Sequence, residues 1–350
     1  MVETSWAEVL TRLRVEALDG ASIRWAFGQI LSGEASDAQT AALIYGMRVR
    51  GEDAAELSAI LDVMYQNAQP APLDGLGDIS DLVDTCGTGG DRSHSINVST
   101  LASLVAAGAG ARVAKHGNRS ASSDCGSADL LEALGVAIDL PGVGVAACIS
   151  ASGMGFYFAR SYHPSMRFVG PVRAQLGVPT LFNFLGPLAN PARVGRQFVG
   201  VSDASMAERM LKVLTLRGVE EAMVVWGSDG LDEITLSGPS TVLHYTGGVV
   251  SEITVSPTDF GIDEAPLEAI MGGDLARRVA AVPDILNGDA GPASDIVALN
   301  AGAILCVSGV VGDIGQGVEA ARDAMADRVP HDVLARLVAT SQREVGTEAG

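Results

Sequence analysis

From about residue 80 onward, short β-type runs alternate with longer helical stretches, and no other property of the sequence restricts the possible folds as strongly as this alternation. The predicted strands cover residues 81–86, 112–114, 136–140, 197–201 and 222–226, and the predicted helices among them start near residue 97 or cover 128–134 and 143–152. Strands separated by helices in this way predict βαβ units. A mostly parallel sheet follows, because crossovers of this kind join parallel strands.

The first 68 residues differ, because their apolar residues show only helical spacing. The predicted helices cover residues 6–18, 22–31, 37–48 and 53–66. Residues 67–77, with Pro70, Pro72 and two glycines, form the expected linker. The sequence therefore predicts an α/β protein. It has a small N-terminal all-helical domain over 1–70 and a larger α/β domain over 78–345, whose mostly parallel central sheet is flanked by helices.

The charge balance excludes some classes of partner. The chain has 23 Lys and Arg against 42 Asp and Glu, a formal net charge of −19, so it lacks the basic surface that nucleic-acid binding needs. No run approaches the ~20 apolar residues of a membrane span, and no signal-peptide pattern is present. Four cysteines without a CxxC pair indicate reduced thiols, and we expect a cytoplasmic protein.

A glycine-rich segment follows the first predicted strand: residues 84–91 read DTCGTGGD. Glycines let the backbone approach a ligand closely, and the helix N-terminus behind them offers free amides and partial positive charge. The segment therefore suits a phosphate or a diphosphate. A tight turn that needs glycine only for its shape explains it equally well.

A second polar segment, residues 115–123, reads KHGNRSASS. Two cations and three hydroxyls in nine residues of so acidic a chain favour an anion site, because Lys and Arg supply charge and Ser completes phosphate coordination. A solvent-exposed polar loop is the alternative.

A third segment carries adjacent carboxylates, Asp232 and Glu233, after the predicted strand over 222–226. Such pairs bind Mg²⁺, which commonly holds substrate phosphates with one or two carboxylates. General acid–base catalysis or a plain acidic turn would also explain them. The three segments together favour a Mg²⁺–phosphate site at the strand ends, where open α/β sheets bind ligands. Arg167 and Arg173 can pair with a substrate carboxylate or remain exposed surface charges.

In this order, the segments resemble the anthranilate phosphoribosyltransferases. The resemblance rests on GTGGD, NVST, KHGNRSASS, GSADLLEALG, YHPSMR, FNFLGPLANPA and GLDEI, and it extends to about residue 340. It implies transfer of the phosphoribosyl group of 5-phosphoribosyl 1-diphosphate (PRPP) to the amino group of anthranilate. The products are N-(5-phosphoribosyl)anthranilate and pyrophosphate, in an early step of tryptophan synthesis.

The resemblance also implies roles for individual residues. The implied PRPP contacts are Gly87, Gly90, Asp91, Ser95, Asn97, Val98, Ser99, Thr100, Lys115, His116, Gly117, Asn118, Arg119, Ser120, Ala121, Ser122, Ser123 and Ser127. The implied Mg²⁺ residues are Ser99, Asp232 and Glu233, and the catalytic set is Lys115, Asp232 and Glu233. Gly87, Asn118 and Arg173 are implied anthranilate contacts, with His116, His163 and Met166 lining the approach. Ser95 stands where the family usually has Thr and keeps the hydroxyl.

The family implies a homodimer joined through the helical domain, to which residues of about 170–190 return, and hinge closure over the substrates. Three alternatives stay open. One is a pyrimidine nucleoside phosphorylase of similar fold, whose loop usually reads Lys-His-Ser-Thr-Gly-Gly. Another is a related transferase with a different acceptor. The last is a catalytically silent binding or regulatory protein, against which the intact KHGNR segment and acid pair argue.

Overall fold

The computed structural model describes residues 4–91, 93–119 and 125–347. Four helices open the chain: α1 Trp6–Leu13, α2 Gly20–Ser32, α3 Asp37–Arg50 and α4 Ala54–Gln66. Each begins after a residue whose side chain accepts a hydrogen bond from a first-turn amide, namely Ser5, Asp19, Ser36 and Asp53. Such N-caps explain why the helices begin where they do. The helix predicted over 6–18 is shorter than expected, because it ends at Leu13.

The rest of the described chain is built around one seven-stranded sheet. Its strands are β1 Leu82–Gly87, β2 Arg112–Gly117, β3 Met154–Phe158, β4 Arg196–Gly200, β5 Glu221–Gly227, β6 Ser240–Thr246 and β7 Val249–Val255. Their order in space is β3-β2-β1-β4-β5-β6-β7. The first five are parallel, and β6 and β7 add an antiparallel hairpin at one edge. The predicted α/β class with a mostly parallel sheet is confirmed.

Helices cover both faces of this sheet. They are α5 Val98–Gly108, α6 Ser127–Ala133, α7 Gly142–Ser152, α8 Ala159–Tyr162, α9 Gly170–Leu176, α10 Phe182–Leu185, α11 Ala207–Leu216, α12 Leu275–Leu286, α13 Pro292–Val307, α14 Ile314–Ala326 and α15 Val329–Thr347. Short 3₁₀ turns lie at Pro164–Phe168, Gly186–Leu188, Ala204–Met206, Pro257–Phe260 and Leu267–Ile270. None of the helices in the described ranges combines the length and apolar character of a membrane span.

The apolar core has two parts, one on each side of the sheet. One part contains buried residues of α5, α7, α13, α14 and α15. The other joins α1–α4 to α11 and to the outer face of β4 and β5, and it includes Val169, Val172, Phe182 and Leu185. The segment around α9 and α10 therefore packs with the N-terminal helices, far from it in the sequence.

The strand predicted over 136–140 is wrong. Its apolar residues are buried, but the segment joins no strand of the sheet, and the amide of Ala137 donates to Ser341 Oγ of α15 at 3.0 Å. An extended segment can thus satisfy its backbone against a helix instead of a sheet. Three strands were not anticipated: the buried β3 and the β6–β7 hairpin.

Candidate active site

A cleft of about 940 Å³ opens at the carboxyl ends of β1, β2 and β5 and is also lined by residues of α8, α9 and α10. All predicted site residues that the structure describes line it: Gly87, Gly90, Asp91, Ser95, Asn97, Val98, Ser99, Thr100, Lys115, His116, Gly117, Asn118, Arg119, Ser127, His163, Met166, Arg173, Asp232 and Glu233. Ser120, Ala121, Ser122 and Ser123 lie outside the described residues. The topology thus gathers segments that are far apart in the chain.

The glycine turn after β1 contacts the acid pair directly. The amide of Gly89 donates to Asp232 Oδ2 at 2.7 Å, and a Cβ added at Gly87 would lie 2.4 Å from the same oxygen. Gly89 and Gly90 have φ of +62° and +83°, a conformation that favours glycine. The turn therefore needs glycine both for its shape and for the approach of a carboxylate, and at least one of its amides points at Asp232.

The acid pair is buried at the start of α5. Glu233 Oε1 accepts from the amide of Ser99 at 3.1 Å, so this carboxylate lies at a helix N-terminus. Burial, followed by the nearby charge of Asp91, raises the pKa of Asp232 to about 7. Burial and then the charge of Asp232 raise the pKa of Glu233 well above its ordinary value. The nearby charge of Lys115 opposes this rise for Glu233 without cancelling it.

Lys115 is the buried cation of this end of the cleft. Its side chain, 2% exposed, donates to the carbonyl oxygen of Thr85, to Thr85 Oγ1 at 3.3 Å and to Ser99 Oγ at 3.2 Å. Burial lowers its pKa, and the carboxylate of Asp84 opposes this shift. Its ammonium group is therefore held among hydroxyl and carbonyl oxygens beside the N-terminus of α5.

The donor set fits Mg²⁺. Within the described residues no cluster of three or more His, Cys, Asp or Glu forms a ready metal cage. Mg²⁺, however, is usually held by one or two carboxylates together with substrate phosphates and water. Two adjacent buried carboxylates with raised pKa values, one of them bonded to the amide of Ser99, match that mode.

Two histidines also line the cleft. The rings of His116 and His163 meet edge to face with centroids 5.4 Å apart, and His163 Nε2 lies 2.8 Å from the carbonyl oxygen of Ala189. Burial lowers both pKa values, that of His116 to about 3. His116 Nε2 is buried without a hydrogen-bond partner in the described chain. The cleft therefore carries neutral imidazoles at pH 7, one with an unused polar atom.

The predicted arginines differ in how they are held. Arg173 donates to Asn183 Oδ1 at 3.2 Å and lies over the ring of Phe182, without a carboxylate partner in the described residues. Arg119 instead forms ion pairs of 2.7 and 2.8 Å with Asp129 and Glu132. Carboxylates of the protein thus already neutralise the guanidinium of Arg119, whereas none of the described residues does so for Arg173.

Two functional candidates were missed by the sequence analysis. Asp84 is fully buried below the cleft, where its Oδ1 accepts from the amides of Thr85 and His116 at 2.8 and 2.9 Å. The carboxylate of Asp84 thus connects β1 to β2 just beyond the residues that pair, and it holds in place the strand that carries Lys115. Arg278 of α12 also lines the cleft. No sequence signal marks Arg278, since it lies far from every motif.

The low pKa of His116 predicts an acid-sensitive stability. The folded protein keeps this imidazole neutral down to about pH 3, whereas the unfolded chain binds the proton near pH 6.5. The stabilisation is therefore present above pH 6.5 and is lost as the pH falls toward 3, by about 1 kcal/mol per pH unit. We expect His116→Gln to remove this part of the slope in urea unfolding between pH 6.5 and 4.5. All other titrating groups are shared by the two proteins, so equal slopes would contradict the assignment.

Comparison with protein families gives two matches along the chain. Residues 8–68 match the helical bundle domain of a glycosyl transferase family, and residues 79–328 match the α/β domain of the same family. The boundary between these matches falls in the proline- and glycine-containing segment that precedes β1.

Individual relatives agree with this result. The chain is 46% identical over 318 residues to the anthranilate phosphoribosyltransferase of Roseiflexus castenholzii, covering 90% of this chain and 92% of the relative. It is 44% identical to that of Chloroflexus aggregans, with 97% and 98% of the two chains covered.

Solved structures show the same similarity. The crystal structure of anthranilate phosphoribosyltransferase from Thermus thermophilus superposes with a TM-score of 0.89 at 39% identity and covers 95% of this chain and 99% of that one. The Saccharomyces cerevisiae enzyme in complex with PRPP and Mg has a TM-score of 0.87, 24% identity and coverage of 97% and 99%, and this shows the shared fold. The resemblance seen in the sequence motifs is thereby confirmed, and the chain belongs to the anthranilate phosphoribosyltransferase family.

Proposed function

We propose that the cleft binds PRPP and anthranilate and transfers the phosphoribosyl group to the amino group of anthranilate, releasing pyrophosphate. One observation carries this proposal. A single cleft is lined by a buried cation and two buried carboxylates, and also by two neutral imidazoles and an arginine that has no carboxylate partner among the described residues. The cation and the carboxylates, which we call the diphosphate end, suit a diphosphate, whereas the imidazoles and the arginine, which we call the acceptor end, suit a flat aromatic carboxylate.

The diphosphate end stabilises the leaving group. Breaking the bond between C1 of the ribose and the diphosphate places negative charge on the departing oxygen. Lys115 and the N-terminus of α5 offer fixed positive charge there, and such preorganised donors act strongly in a buried site. Asp232, Glu233 and Ser99 are the residues that would hold Mg²⁺. When bound, the metal neutralises the negative charge of the diphosphate.

The acceptor end positions the arylamine. Its nitrogen is already a neutral nucleophile at pH 7, so correct placement matters more than a strong base. Arg173 supplies a guanidinium for the carboxylate, while His116, His163 and Met166 line the approach. Because burial lowers the pKa values of both imidazoles, they do not compete with Arg173 as cations.

The other residue roles belong to the same proposal. Gly87, Gly90, Asp91, Ser95, Asn97, Val98, Thr100, Gly117, Asn118, Arg119 and Ser127 contact PRPP, with Gly87 and Asn118 also facing anthranilate. Their position along one cleft supports these roles. We further propose a cytoplasmic homodimer joined through the helical domain, formed by residues 1–70 with a return near 170–190. Sedimentation of the purified protein tests the dimer.

The decisive experiment follows the fluorescence of anthranilate. Adding PRPP and Mg²⁺ to the purified protein and anthranilate is expected to remove the signal as the amino group is ribosylated. Omitting PRPP should leave the signal unchanged. Persistent fluorescence together with phosphorolysis of thymidine would replace the proposal with a pyrimidine nucleoside phosphorylase.

Arg173 provides a separate test of the acceptor end. Because its guanidinium has no acidic partner in the described chain, we expect Arg173→Gln to raise KM for anthranilate about 10- to 100-fold through loss of a charge-assisted pair. KM for PRPP should barely change. Aniline, which lacks the carboxylate, is the matched substrate, and its kcat/KM should fall little. An equal loss for aniline and anthranilate would contradict the pairing.

A further inference from the structure

Arg278 is a buried cation that has no role in the phosphoribosyl transfer proposed above. It lies on the second turn of α12 and is 4% exposed. Its neighbour Arg277 on the same helix is exposed. Arg278 also lines the cleft, which places one arginine of this acidic protein beside the substrate site.

Each partner of Arg278 in the described residues is a neutral oxygen. Nε donates to the carbonyl oxygen of Gly273 at 2.9 Å, and Nη2 donates to that of His94 at 3.1 Å. Nη1 donates to the carbonyl oxygen of Ser95 and to Asn97 Oδ1, the latter at 3.3 Å. No carboxylate lies within ion-pair distance among these residues, unlike the cases of Arg119 and Arg196. Buried charges are normally paired, so the missing counter-ion needs an explanation.

The backbone around Arg278 is shaped to hold its guanidinium group. A Cβ added at Gly272 would lie 2.5 Å from Cζ of Arg278, so only glycine lets the guanidinium lie against the backbone there. The amide of Gly272 donates to the carbonyl oxygen of His94 at 2.9 Å, and the amide of Ile96 donates to that of Ile270 at 2.9 Å. These bonds fasten the segment before α12 to the loop that leads into α5.

The same loop carries groups of the diphosphate end. Ser95 and Asn97 lie on it, and Asn97 Nδ2 donates to the carbonyl oxygen of Cys125 at 3.1 Å. Ser99, the partner of Lys115, follows two residues after Asn97. Arg278 therefore stands at the wall formed by Ser95, Asn97 and Cys125, and no carboxylate among the described residues compensates its charge.

We propose that Arg278 supplies a fixed positive charge for a phosphate group of PRPP at this wall of the cleft. The inference rests on the proposed function and extends it, because it adds a cation from α12 to the phosphate-binding residues. The substrate provides the counter-ion that the described part of the chain does not. The carbonyl contacts hold the guanidinium in place before the substrate arrives, which reduces the entropy lost on binding.

The test compares PRPP binding, by calorimetry in the presence of Mg²⁺ and without anthranilate, in the full-length protein and its variants. We expect Arg278→Met to raise Kd for PRPP about 10- to 100-fold, as for loss of a charged contact. Arg278→Lys, which keeps the charge but loses the planar fork, should recover most of the affinity. Arg277→Met removes the same charge from the exposed neighbour and should bind PRPP like the wild type. KM for anthranilate should remain close to the wild-type value in all three.

Three results would overturn the inference: unchanged PRPP affinity in Arg278→Met, equal weakening by Arg278→Lys and Arg278→Met, or an equal loss in Arg277→Met. If Arg278→Met does not fold, Arg278→Lys decides alone, since a loss of affinity in that variant as large as the one expected for Arg278→Met contradicts a role for the charge. Wild-type turnover of anthranilate is measured separately. Its absence would refute the proposed function, whereas the PRPP titrations would still report on Arg278.

Discussion

Replacing both members of the buried acid pair, Asp232→Asn with Glu233→Gln, is expected to lower kcat at least about 10³-fold, beyond the loss typical of a single electrostatic contact. The two side chains keep their shape and lose their charge. Asp232 would still accept from Gly89, and Glu233 from Ser99, through an amide oxygen. The fall in kcat would therefore report the removal of the negative charge and of the Mg²⁺ that it would hold. Steady-state turnover at increasing Mg²⁺ is the measurement.

The chain offers a matched control for this variant. Asp263 and Glu264 form another adjacent Asp–Glu pair, but both are exposed and lie outside the cleft. Asp263→Asn with Glu264→Gln removes the same two charges and should leave turnover near the wild-type value. Replacing the buried pair is in addition expected to maintain or raise Tm, because it relieves the repulsion between the two carboxylates. Normal turnover of the buried-pair variant at saturating Mg²⁺ would refute the metal assignment.

A single methyl group on β4 is expected to have the second large effect. A Cβ added at Gly200 would lie 1.6 Å from the carbonyl oxygen of Asp232, a backbone atom that cannot move alone. Gly200→Ala must therefore displace the segment that carries both carboxylates. We expect kcat to fall about 100-fold, because a shift of about 1 Å at a reacting site has that effect. Overpacking should also lower the free energy of unfolding by about 1–3 kcal/mol.

Gly28→Ala is the control for this substitution. Gly28 lies within α2, and an added Cβ there meets no atom within 4 Å. That variant should keep full activity and gain up to about 1 kcal/mol of stability, since Ala favours helices over Gly. Kinetic assays and urea unfolding of both variants check the pair of predictions. Wild-type kcat in Gly200→Ala would contradict the close approach of Asp232 to β4.

Secondary structure was predictable where local signals were strong. Helices α2–α4 follow from apolar spacing and N-caps, whereas α5 has no side-chain N-cap and follows from its apolar run alone. β3 was missed because Met154–Phe158 is a buried apolar run of five residues, which periodicity cannot separate from a helix. The β6–β7 hairpin had a readable signal, two β-branched runs around Gly247 and Gly248. The false strand over 136–140 is equally apolar, and only its contact with α15 tells it apart.

The chemical groups that the glycine turn, the KHGNR segment and the acid pair contribute could be read from the sequence, because residue type and spacing are local properties. It also indicated their meeting place, since parallel strands end at one edge of a sheet. Only the tertiary structure decided how these groups are used. The Gly89–Asp232 bond joins residues 143 positions apart, and the Arg278–Ser95 contact spans 183. Burial, raised carboxylate pKa values and the neutral hydrogen-bond partners of Arg278 arise from such contacts, and no local pattern encodes them.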